Sequence, residues 1–490
     1  MTNHHASPIR GQRSRGLLWI ALLLVAALLL PGCDLLTPIE PETTEEMPTE
    51  EVTTEEATTE EATTEDATTE DATTEEITTE EITTEAPVLE VPTVPIKPID
   101  PLAEVDLEGQ TIELFVSDCT QRYFLGAETG DSLSRAVYSR DREAEKLIHA
   151  AFQIQTASYF DHHLLPMVLN QAMDGLGCVV IGTGGMELNT LAVNGVLANL
   201  LGAGPIRLDQ TYYDHDLMDA TMLVDGFLPF VGGALSIGTW NYMPVLFANR
   251  SLLESCLYDA ADDVFDAALQ GDWTLELLRD TVHTLDATET PALNYTQSSL
   301  RGVLVASGIR LAYREADEIV STLNYTKIAE CNDIVFEWKS LLLSDNCNEV
   351  MGDPAAIFAN GDSAFLLGNL TYARGMKDLP FDCEILPIPK LDTAQKTYLS
   401  TFDRLITVGV AYPEDVADSC AAVEALSRAS SSEWKAVCRS ELLQGFDSDF
   451  SAKMFDEIVG HPVYDIAAVW QPEDWYKMKL VSKIKKFTKN

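Results

Sequence analysis

The sequence predicts an α/β fold arranged in two lobes. Strand-like and helix-like segments alternate between residues 111 and 201, which is typical of a parallel sheet with crossover helices. A second observation is length: the 389 residues from 102 to 490 are more than one small hydrophobic core needs. Both observations favour two lobes, each with its own sheet.

The elements of the first half follow from short apolar patterns. The run TIELFV at 111–116 predicts a buried strand, and GCVVIG at 177–182 predicts a second strand that opens into the glycine-rich loop TGG. Helical spacing of apolar residues, with a short apolar end in the first case, predicts helices over 135–155, 165–174 and 191–201. A crossing strand is expected over 234–239 (ALSIGT).

The second half carries the same alternation. Residues 271–285 (GDWTLELLRDTVHTL) predict an amphipathic helix that begins at Asp272 or Thr274, because either side chain can cap it. The patterns further predict helices over 334–343 and 416–428, and strands over 383–389 and 405–410.

The N-terminal residues 1–33 predict export. Arg10, Arg13 and Arg15 precede an unbroken apolar run, 17–30, and the sequence Leu-Pro-Gly-Cys ends at Cys33. This is typical of a bacterial secretory signal with a lipobox, in which Cys33 carries the lipid. Fourteen helical residues span roughly 21 Å, short of the ~30 Å hydrocarbon core, which disfavours a membrane-spanning helix. An uncleaved signal anchor is the alternative, and both place the rest of the chain outside the cytoplasm.

Residues 34–101 predict a disordered tether. Between Glu40 and Ala86 lie nineteen acidic residues and no Lys or Arg, in an array of TTEEA-like pentapeptides. A period of five matches neither a helix nor a strand, so the segment cannot bury enough apolar surface to fold. A Pro-rich stretch follows, and residues 40–101 could reach about 200 Å when fully extended.

Charge excludes one class of partner. Of the 78 acidic and 32 basic residues, 56 and 28 lie in residues 102–490, so this region carries a formal charge near −28. A nucleic-acid-binding domain needs clustered Lys and Arg, so we expect no nucleic acid as partner.

Cysteine spacing predicts neither a metal site nor a redox pair. Eight cysteines lie beyond Cys33, without a C-x-x-C motif, and their spacing selects no disulfide pairing. Cys178 and Cys438 stand in apolar surroundings, where buried thiols are common. We expect no metal and no cofactor.

Seven segments, in this order, resemble the extracellular solute-binding proteins of ATP-driven carbohydrate importers (family 1, related to maltodextrin-binding proteins), in particular the lipoprotein members common in Firmicutes. These segments are TIELFV, AVYSRDREAEKLIHAAFQIQ, CVVIGTGGM, IRLDQTYYDHDLMDATMLVDGFLPFVGG, MPVLFANRSLLES, GDWTLELL and CEILPIPKLDTAQKTYLS. The resemblance covers about residues 110–470. It implies a two-lobe periplasmic-binding-protein-like (type II) fold with hinge strands. Lobe one would hold about 105–238 and 388–430, and lobe two about 239–387 and 431–490.

The resemblance implies a ligand cleft between the lobes. A sugar needs aromatic rings for stacking and polar side chains for paired hydrogen bonds. Ten residues next to predicted strands are predicted to bind the ligand. Trp240, Asn241 and Tyr242 follow the crossing segment, and Asp118 and Tyr123 follow the first strand. Gly184, Gly185 and Met186 follow the glycine-rich strand, and Asp403 and Arg404 precede the returning strand.

The function predicted from the sequence is therefore capture of a small solute, which we expect to be a carbohydrate, by a monomer anchored by lipid to the outer face of the cell membrane. The partners implied are the membrane subunits of an ABC importer. A surface lipoprotein of the same fold that serves adhesion or sensing is the alternative. No catalytic residues are predicted, since the chain lacks G-x-S-x-G, H-E-x-x-H and G-x-x-x-x-G-K-[ST] motifs.

Overall fold

The structure is a computed structural model that describes residues 100–159, 163–173, 177–222, 226–296, 299–315, 318–321, 325–350, 352–411, 416–430 and 432–470. The predicted signal segment with Cys33, and nearly all of the predicted tether, lie outside the described residues. The described residues belong to one compact unit.

Twelve strands and fourteen α-helices are described. The strands are β1 (Thr111–Ser117), β2 (Ala151–Ala157), β3 (Cys178–Thr183), β4 (Phe230–Val231), β5 (Pro244–Asn249), β6 (Leu293–Tyr295), β7 (Ala312–Glu315), β8 (Glu318–Ser321), β9 (Cys347–Glu349), β10 (Phe365–Asn369), β11 (Cys383–Leu386) and β12 (Ile406–Ala411). The helices are α1 (Ser132–Ile148), α2 (Leu164–Met173), α3 (Asn189–Val193), α4 (His215–Thr221), α5 (Arg250–Leu257), α6 (Ala260–Gln270), α7 (Leu275–Asp286), α8 (Leu300–Ala306), α9 (Tyr325–Leu342), α10 (Pro354–Phe358), α11 (Ala417–Ala429), α12 (Ser432–Leu443), α13 (Asp449–Gly460) and α14 (Ile466–Trp470).

Two five-stranded sheets organise the chain. Sheet one has the order β2-β1-β3-β12-β4, and sheet two has the order β11-β5-β10-β6-β9. In sheet one, β1 pairs in parallel with β2 and β3, while β12 runs antiparallel to β3 and β4. The carboxyl ends of β1, β2 and β3 and the amino end of β12 therefore lie at one edge of sheet one.

Both faces of each sheet are buried, and the side chains alternate between them. On β1, Leu114 and Val116 pack in one hydrophobic cluster and Phe115 in another. On β5 of sheet two, Leu246 packs in one hydrophobic cluster and the next residue, Phe247, packs in another. This alternation follows from the two-residue period of a strand and explains why the strands have continuous apolar sequences.

Four segments connect the two sheets. Residues 232–243 lead from β4 to β5, and residues 387–405 lead from β11 back to β12. Helix α12 packs Trp434 in a cluster of sheet one and Leu442 in a cluster of sheet two. Residues 461–465 then lead to α14, whose Ile466 and Val469 pack beside sheet one. The predicted lobe boundaries stay a prediction, because these late segments contact both sheets.

Local sequence signals explain most helix starts. The Asp131 carboxylate accepts a hydrogen bond from Ser134 N at 2.8 Å and caps α1, while His149 ends that helix in the left-handed region at φ 50°. Of the two residues predicted to cap α7, Thr274 is the one that does so, through Leu277 N. These side chains satisfy backbone N–H groups that a helix leaves unpaired.

Three sequence-based predictions of elements were wrong. The helix expected over 191–201 covers only Asn189–Val193 after one π-helical turn, and Gly195, in the left-handed region at φ 69°, follows its end. The crossing strand expected over 234–239 is part of a 3₁₀-helix, Ala234–Tyr242. The helix predicted over 135–155 ends at Ile148, and its last residues form β2, which the sequence reading missed.

Among the helices that the structure describes, none is both long and apolar enough to cross a membrane.

The core of sheet two predicts a stability effect. Trp273 is fully buried, and its Nε1 donates to Pro387 O at 3.0 Å. We expect Trp273→Ala to lower the free energy of unfolding by about 3–5 kcal/mol, because it leaves a large cavity and an unpaired carbonyl. Tyr258→Ala, at a side chain that is 78% exposed, is the control and should change it by less than about 0.5 kcal/mol. Chemical denaturation measures both, and equal effects would contradict this assignment of the core.

Candidate functional site

The candidate site lies at the edge of sheet one where β1, β2 and β3 end and β12 begins. The register pairs Thr183 with Ile406, and Gly184 N donates to Leu405 O at 2.8 Å. The Asp118 carboxylate accepts a hydrogen bond from Tyr159 N at 2.9 Å, which joins the loops that follow β1 and β2. The sheet topology thus gathers residues that are far apart in sequence.

A cleft opens at this edge. It contains about 470 Å³ of space without protein atoms, part of which is open to solvent. Lobe two contributes Arg301 from α8, whose Nη1 donates to Phe402 O at 3.0 Å. The lining residues are Tyr159, Thr183, Arg301, Thr401, Phe402, Asp403, Arg404, Leu405, Val463, Tyr464, Asp465, Ala468 and Val469.

Arg404 stands between two tyrosine rings. Its Cζ lies 4.6 Å from the ring centroid of Tyr159 and 5.4 Å from that of Tyr242. Tyr242 is fixed in turn by its hydroxyl, which donates to Cys119 O at 2.8 Å. Burial raises the pKa of Tyr242 to about 12, so the hydroxyl remains a neutral donor. The guanidinium is thereby held by cation–π contacts at the mouth of the cleft.

Asp403 connects the returning segment to both lobes. Its backbone N donates to Tyr242 O at 2.8 Å, and its carboxylate accepts a hydrogen bond from Asn369 Nδ2 at 2.6 Å. Asn369 is the last residue of β10, in sheet two. The cleft wall therefore depends on contacts from both sheets.

Part of the cleft lining is aromatic. Phe402 and Tyr464 stack with ring centroids 5.4 Å apart and an interplanar angle of 24°. The Tyr464 hydroxyl donates to the Asp214 carboxylate, and the Asp465 carboxylate accepts from Leu311 N at 2.8 Å. An apolar face beside arginines and carboxylates can contact both the C–H faces and the hydroxyls of a polar solute.

A buried carboxyl supports the glycine-rich loop. Glu187 Oε2 accepts from Thr183 N at 2.8 Å, and within the described part of the chain Glu187 Oε1 has no hydrogen-bond partner. Burial raises the pKa of Glu187, outweighing the hydrogen bonds from Thr183. Its contact with Thr183 fixes the end of β3 at the cleft.

The structure divides the predicted ligand-binding residues into groups. Asp403 and Arg404 line the cleft, and Asp118, Tyr242 and Gly184 contact residues that line it. Gly185 and Met186 lie in the π-helical turn that begins at Gly184. The Met186 side chain and the exposure of both residues are outside what the structure describes. None of these assignments has been tested by a bound ligand, so all stay predictions.

Trp240 lies elsewhere. It lines a second cavity, of about 1200 Å³ including open solvent, which shares Phe402, Leu405 and Tyr464 with the cleft. Its ring meets Phe455 edge-on with centroids 5.6 Å apart. The stacked pair Phe402–Tyr464 therefore separates Trp240 from the first cleft.

Tyr123 and Asn241 are buried in a polar network beside the cleft. Asn241 Nδ2 donates to the Tyr123 hydroxyl at 2.5 Å, and Asn241 Oδ1 accepts from Arg374 Nη2 at 3.1 Å. Arg374 Nε donates to Glu441 Oε1 at 2.5 Å, and Arg122 Nη2 donates to the same atom at 2.7 Å. We call Arg122, Tyr123, Asn241, Arg374 and Glu441 the interlobe network.

The sequence analysis missed most of the lining residues, among them Tyr159, Arg301 and Tyr464. Tyr159 follows β2, and the alternation Ala-Phe-Gln-Ile-Gln at 151–155 is a strand signal that could have revealed it. Arg301 and Tyr464 lie in a short helix and a loop, and no local sequence pattern marks either of them as facing a cleft.

No protein-family model matches the chain, and no curated protein matches it in sequence. Solved structures do match. A cyclic α-maltosyl-1,6-maltose binding protein from Arthrobacter globiformis is 15% identical, with 73% of this chain and 90% of that chain covered and a TM-score of 0.50. A family 1 extracellular solute-binding protein from Bifidobacterium longum subsp. infantis is 11% identical, with 78% and 100% covered and a TM-score of 0.50.

A third match is the bacterial solute receptor AcbH, which is 12% identical, with 78% of this chain and 93% of that chain covered and a TM-score of 0.50. The chain has the two-lobe fold of extracellular solute-binding proteins. The predicted fold class and the resemblance are thereby confirmed at the level of the fold. These three similar proteins are binding proteins or receptors.

The interlobe network predicts an acid-sensitive contribution to stability. Burial alone would raise the pKa of the Glu441 carboxyl, but Arg374 and Arg122 outweigh it and hold its pKa below the usual value. Glu441 therefore stabilises the fold above the pKa of the unfolded carboxyl, and this contribution is lost as the pH falls through the lower folded pKa. At pH 7 we expect Glu441→Gln to lower the free energy of unfolding by about 2 kcal/mol. The effect is smaller than for a fully buried ion pair because both arginines are partly exposed to solvent.

Denaturation of both chains between pH 7 and pH 3 measures this. The difference in the free energy of unfolding between the wild-type chain and Glu441→Gln should shrink in the acid range. Asp456→Asn, which breaks an exposed ion pair with Arg439, is the control and should have less than about 0.5 kcal/mol of effect. A difference that stays constant with pH would show that the charge of Glu441 does not stabilise the fold.

Proposed function

We propose that the chain is a lipid-anchored extracellular receptor that captures a small carbohydrate and delivers it unchanged to the membrane subunits of an ABC importer. The observation that carries the proposal is the cleft between two separately cored sheets, with an aromatic wall, two arginines and two aspartates. Such a lining can pair donors and acceptors with sugar hydroxyls while a ring covers an apolar sugar face.

The similar structures support a carbohydrate but not a particular one. The Arthrobacter protein binds cyclic α-maltosyl-1,6-maltose, and AcbH has an exclusive preference for β-D-galactopyranose. One solute is a cyclic oligosaccharide and the other a monosaccharide, so a screen has to cover both sizes. Two lobes can close on a solute when the closed form binds it more tightly than the open form does.

A second candidate function is adhesion or sensing by the same fold. The observation that favours it is the tether of residues 34–101, which is longer than delivery to a transporter in the same membrane requires. Saturable binding to cell wall, together with no response to any sugar, would support this candidate over transport.

Sugar capture predicts a saturable rise in melting temperature. The purified chain is screened against mono-, di- and oligosaccharides, and a solute at a hundred times its Kd should stabilise the fold by about 2.7 kcal/mol. Arg404→Ala should weaken the affinity at least about tenfold, which corresponds to about 1.4 kcal/mol. Calorimetric titration measures the loss.

Arg428→Ala is the matched control, because Arg428, on α11, forms a surface ion pair with Asp100 away from the cleft lining. It should bind the sugar as the wild-type chain does. Conversion of the sugar to a product would contradict the proposal, and so would binding that Arg404→Ala leaves unchanged.

Lipid anchoring predicts that Cys33→Ser abolishes incorporation of a clickable palmitate analogue and moves the protein from the membrane fraction to the medium. The physical reason is that two or more acyl chains give a stable anchor. Cys256→Ser, at a half-buried thiol of lobe two, is the control and should stay labelled and membrane-bound. Continued membrane binding of Cys33→Ser at its uncleaved mass would identify a signal anchor instead.

A further inference from the structure

The interlobe network contains a pocket of hydrogen-bond acceptors. Tyr123, Asn241 and Glu441 are 4%, 3% and 7% exposed. Asn241 Nδ2 is already used, because it donates to Gly238 O at 2.7 Å and to the Tyr123 hydroxyl. The pocket therefore presents Asn241 Oδ1, the Tyr123 hydroxyl oxygen and the Glu441 carboxylate, which is an acceptor set suited to a guanidinium.

Arg374 of lobe two fills this pocket. It lies in the 3₁₀-helix Leu370–Met376, which follows β10 of sheet two directly. Its Nε and Nη2 donate to the two Glu441 oxygens at 2.5 and 3.2 Å, and Nη2 also contacts Asn241 Oδ1 at 3.1 Å and the Tyr123 hydroxyl at 3.4 Å. A bidentate, charge-assisted pair of this kind is among the stronger hydrogen-bonded contacts in proteins.

Glu441 joins the lobes through α12. The Glu441 carboxylate forms an ion pair with Arg122, which lies in the 3₁₀-helix after β1 of sheet one. It forms a second ion pair with Arg374, which follows β10 of sheet two. Further along α12, Trp434 meets the Tyr123 ring edge-on with centroids 6.2 Å apart, and Leu442 packs in a core of sheet two. One buried carboxylate thus bonds loops of both lobes.

A movement that carries the 3₁₀-helix Leu370–Met376 away from the 3₁₀-helix Asp118–Tyr123 breaks part of this network. If α12 moves with lobe one, Arg374 loses Glu441 and Tyr123. If α12 moves with lobe two, Glu441 loses Arg122, and Arg374 loses Tyr123. In either case Asn241, in the connecting segment, keeps only one of its two partners, Tyr123 or Arg374. Either movement leaves buried polar groups with fewer partners, which is costly.

We propose that the interlobe network is a latch that holds the two lobes together without a solute, with Arg374 as a built-in occupant of an acceptor pocket at the junction of the lobes. The latch sets the fraction of closed molecules that a solute encounters. A solute that binds the closed form then gains affinity from a preformed closed state, while its entry waits for the latch to open.

The test measures lobe separation in the full chain without solute. Spin-labelled non-canonical amino acids replace Val193 in lobe one and Tyr258 in lobe two, which are 75% and 78% exposed, and pulsed electron paramagnetic resonance gives the distance distribution. The wild-type chain should give one narrow distribution. Arg374→Gln should broaden it and shift its mean by more than about 2 Å, the scale of a domain rearrangement.

Arg439→Gln is the matched control. It breaks the ion pair between Arg439, which lies on α12 like Glu441, and the exposed Asp456 of α13. Its distance distribution should equal that of the wild type. Thermal unfolding of both variants separates a latch from a residue that only stabilises the fold. A lower melting temperature for Arg374→Gln with an unchanged distance distribution would overturn the proposal.

Tyr123→Phe is a milder variant, to be used if Arg374→Gln does not fold. It removes only the hydroxyl between Arg374 and Asn241, and should shift the distribution in the same direction by a smaller amount. A folded Tyr123→Phe chain with the wild-type distribution, where Arg374→Gln is unfolded, would equally overturn the latch.

Discussion

The site depends on one constraint: the chain has to pass between two sheets that each bury both faces. A polypeptide that leaves one such sheet for another must do so at the strand ends, because the faces are covered. Residues 232–243 and 387–405 make these passages at the edge where β1, β2 and β3 end. The cleft, Arg404 and the interlobe network all lie along these two passages or beside them.

Arginine is the residue type that organises the contact between the lobes in a strongly acidic chain. Arg301, Arg374 and Arg404 are each held by groups from distant parts of the sequence: a carbonyl, a buried carboxylate and two aromatic rings. Arginine suits this role because its planar guanidinium stays charged and offers several donors in fixed directions.

The errors of prediction share a physical cause. β2 was read as the end of a helix because the Phe152 and Ile154 pattern is short and because α1 continues almost to it. The crossing strand expected before Trp240 was wrong as well, whereas the prediction that Trp240 binds the ligand stays a prediction. The 3₁₀-helix Ala234–Tyr242 instead turns Asn241 towards Tyr123 and leaves Trp240 in the second cavity.

The sequence by itself determined the α/β class, most strands and helices, and two residues of the cleft lining, Asp403 and Arg404, and it narrowed the cap of α7 to Asp272 or Thr274. It could do so because apolar periodicity and capping chemistry act over a few neighbouring residues. Only the tertiary structure decided that Tyr159, Arg301 and Tyr464 line the same cleft, and that Arg374 reaches Tyr123 across 251 positions of sequence. Such contacts depend on strand order and on the crossing segments, and no local pattern of residues encodes either of them.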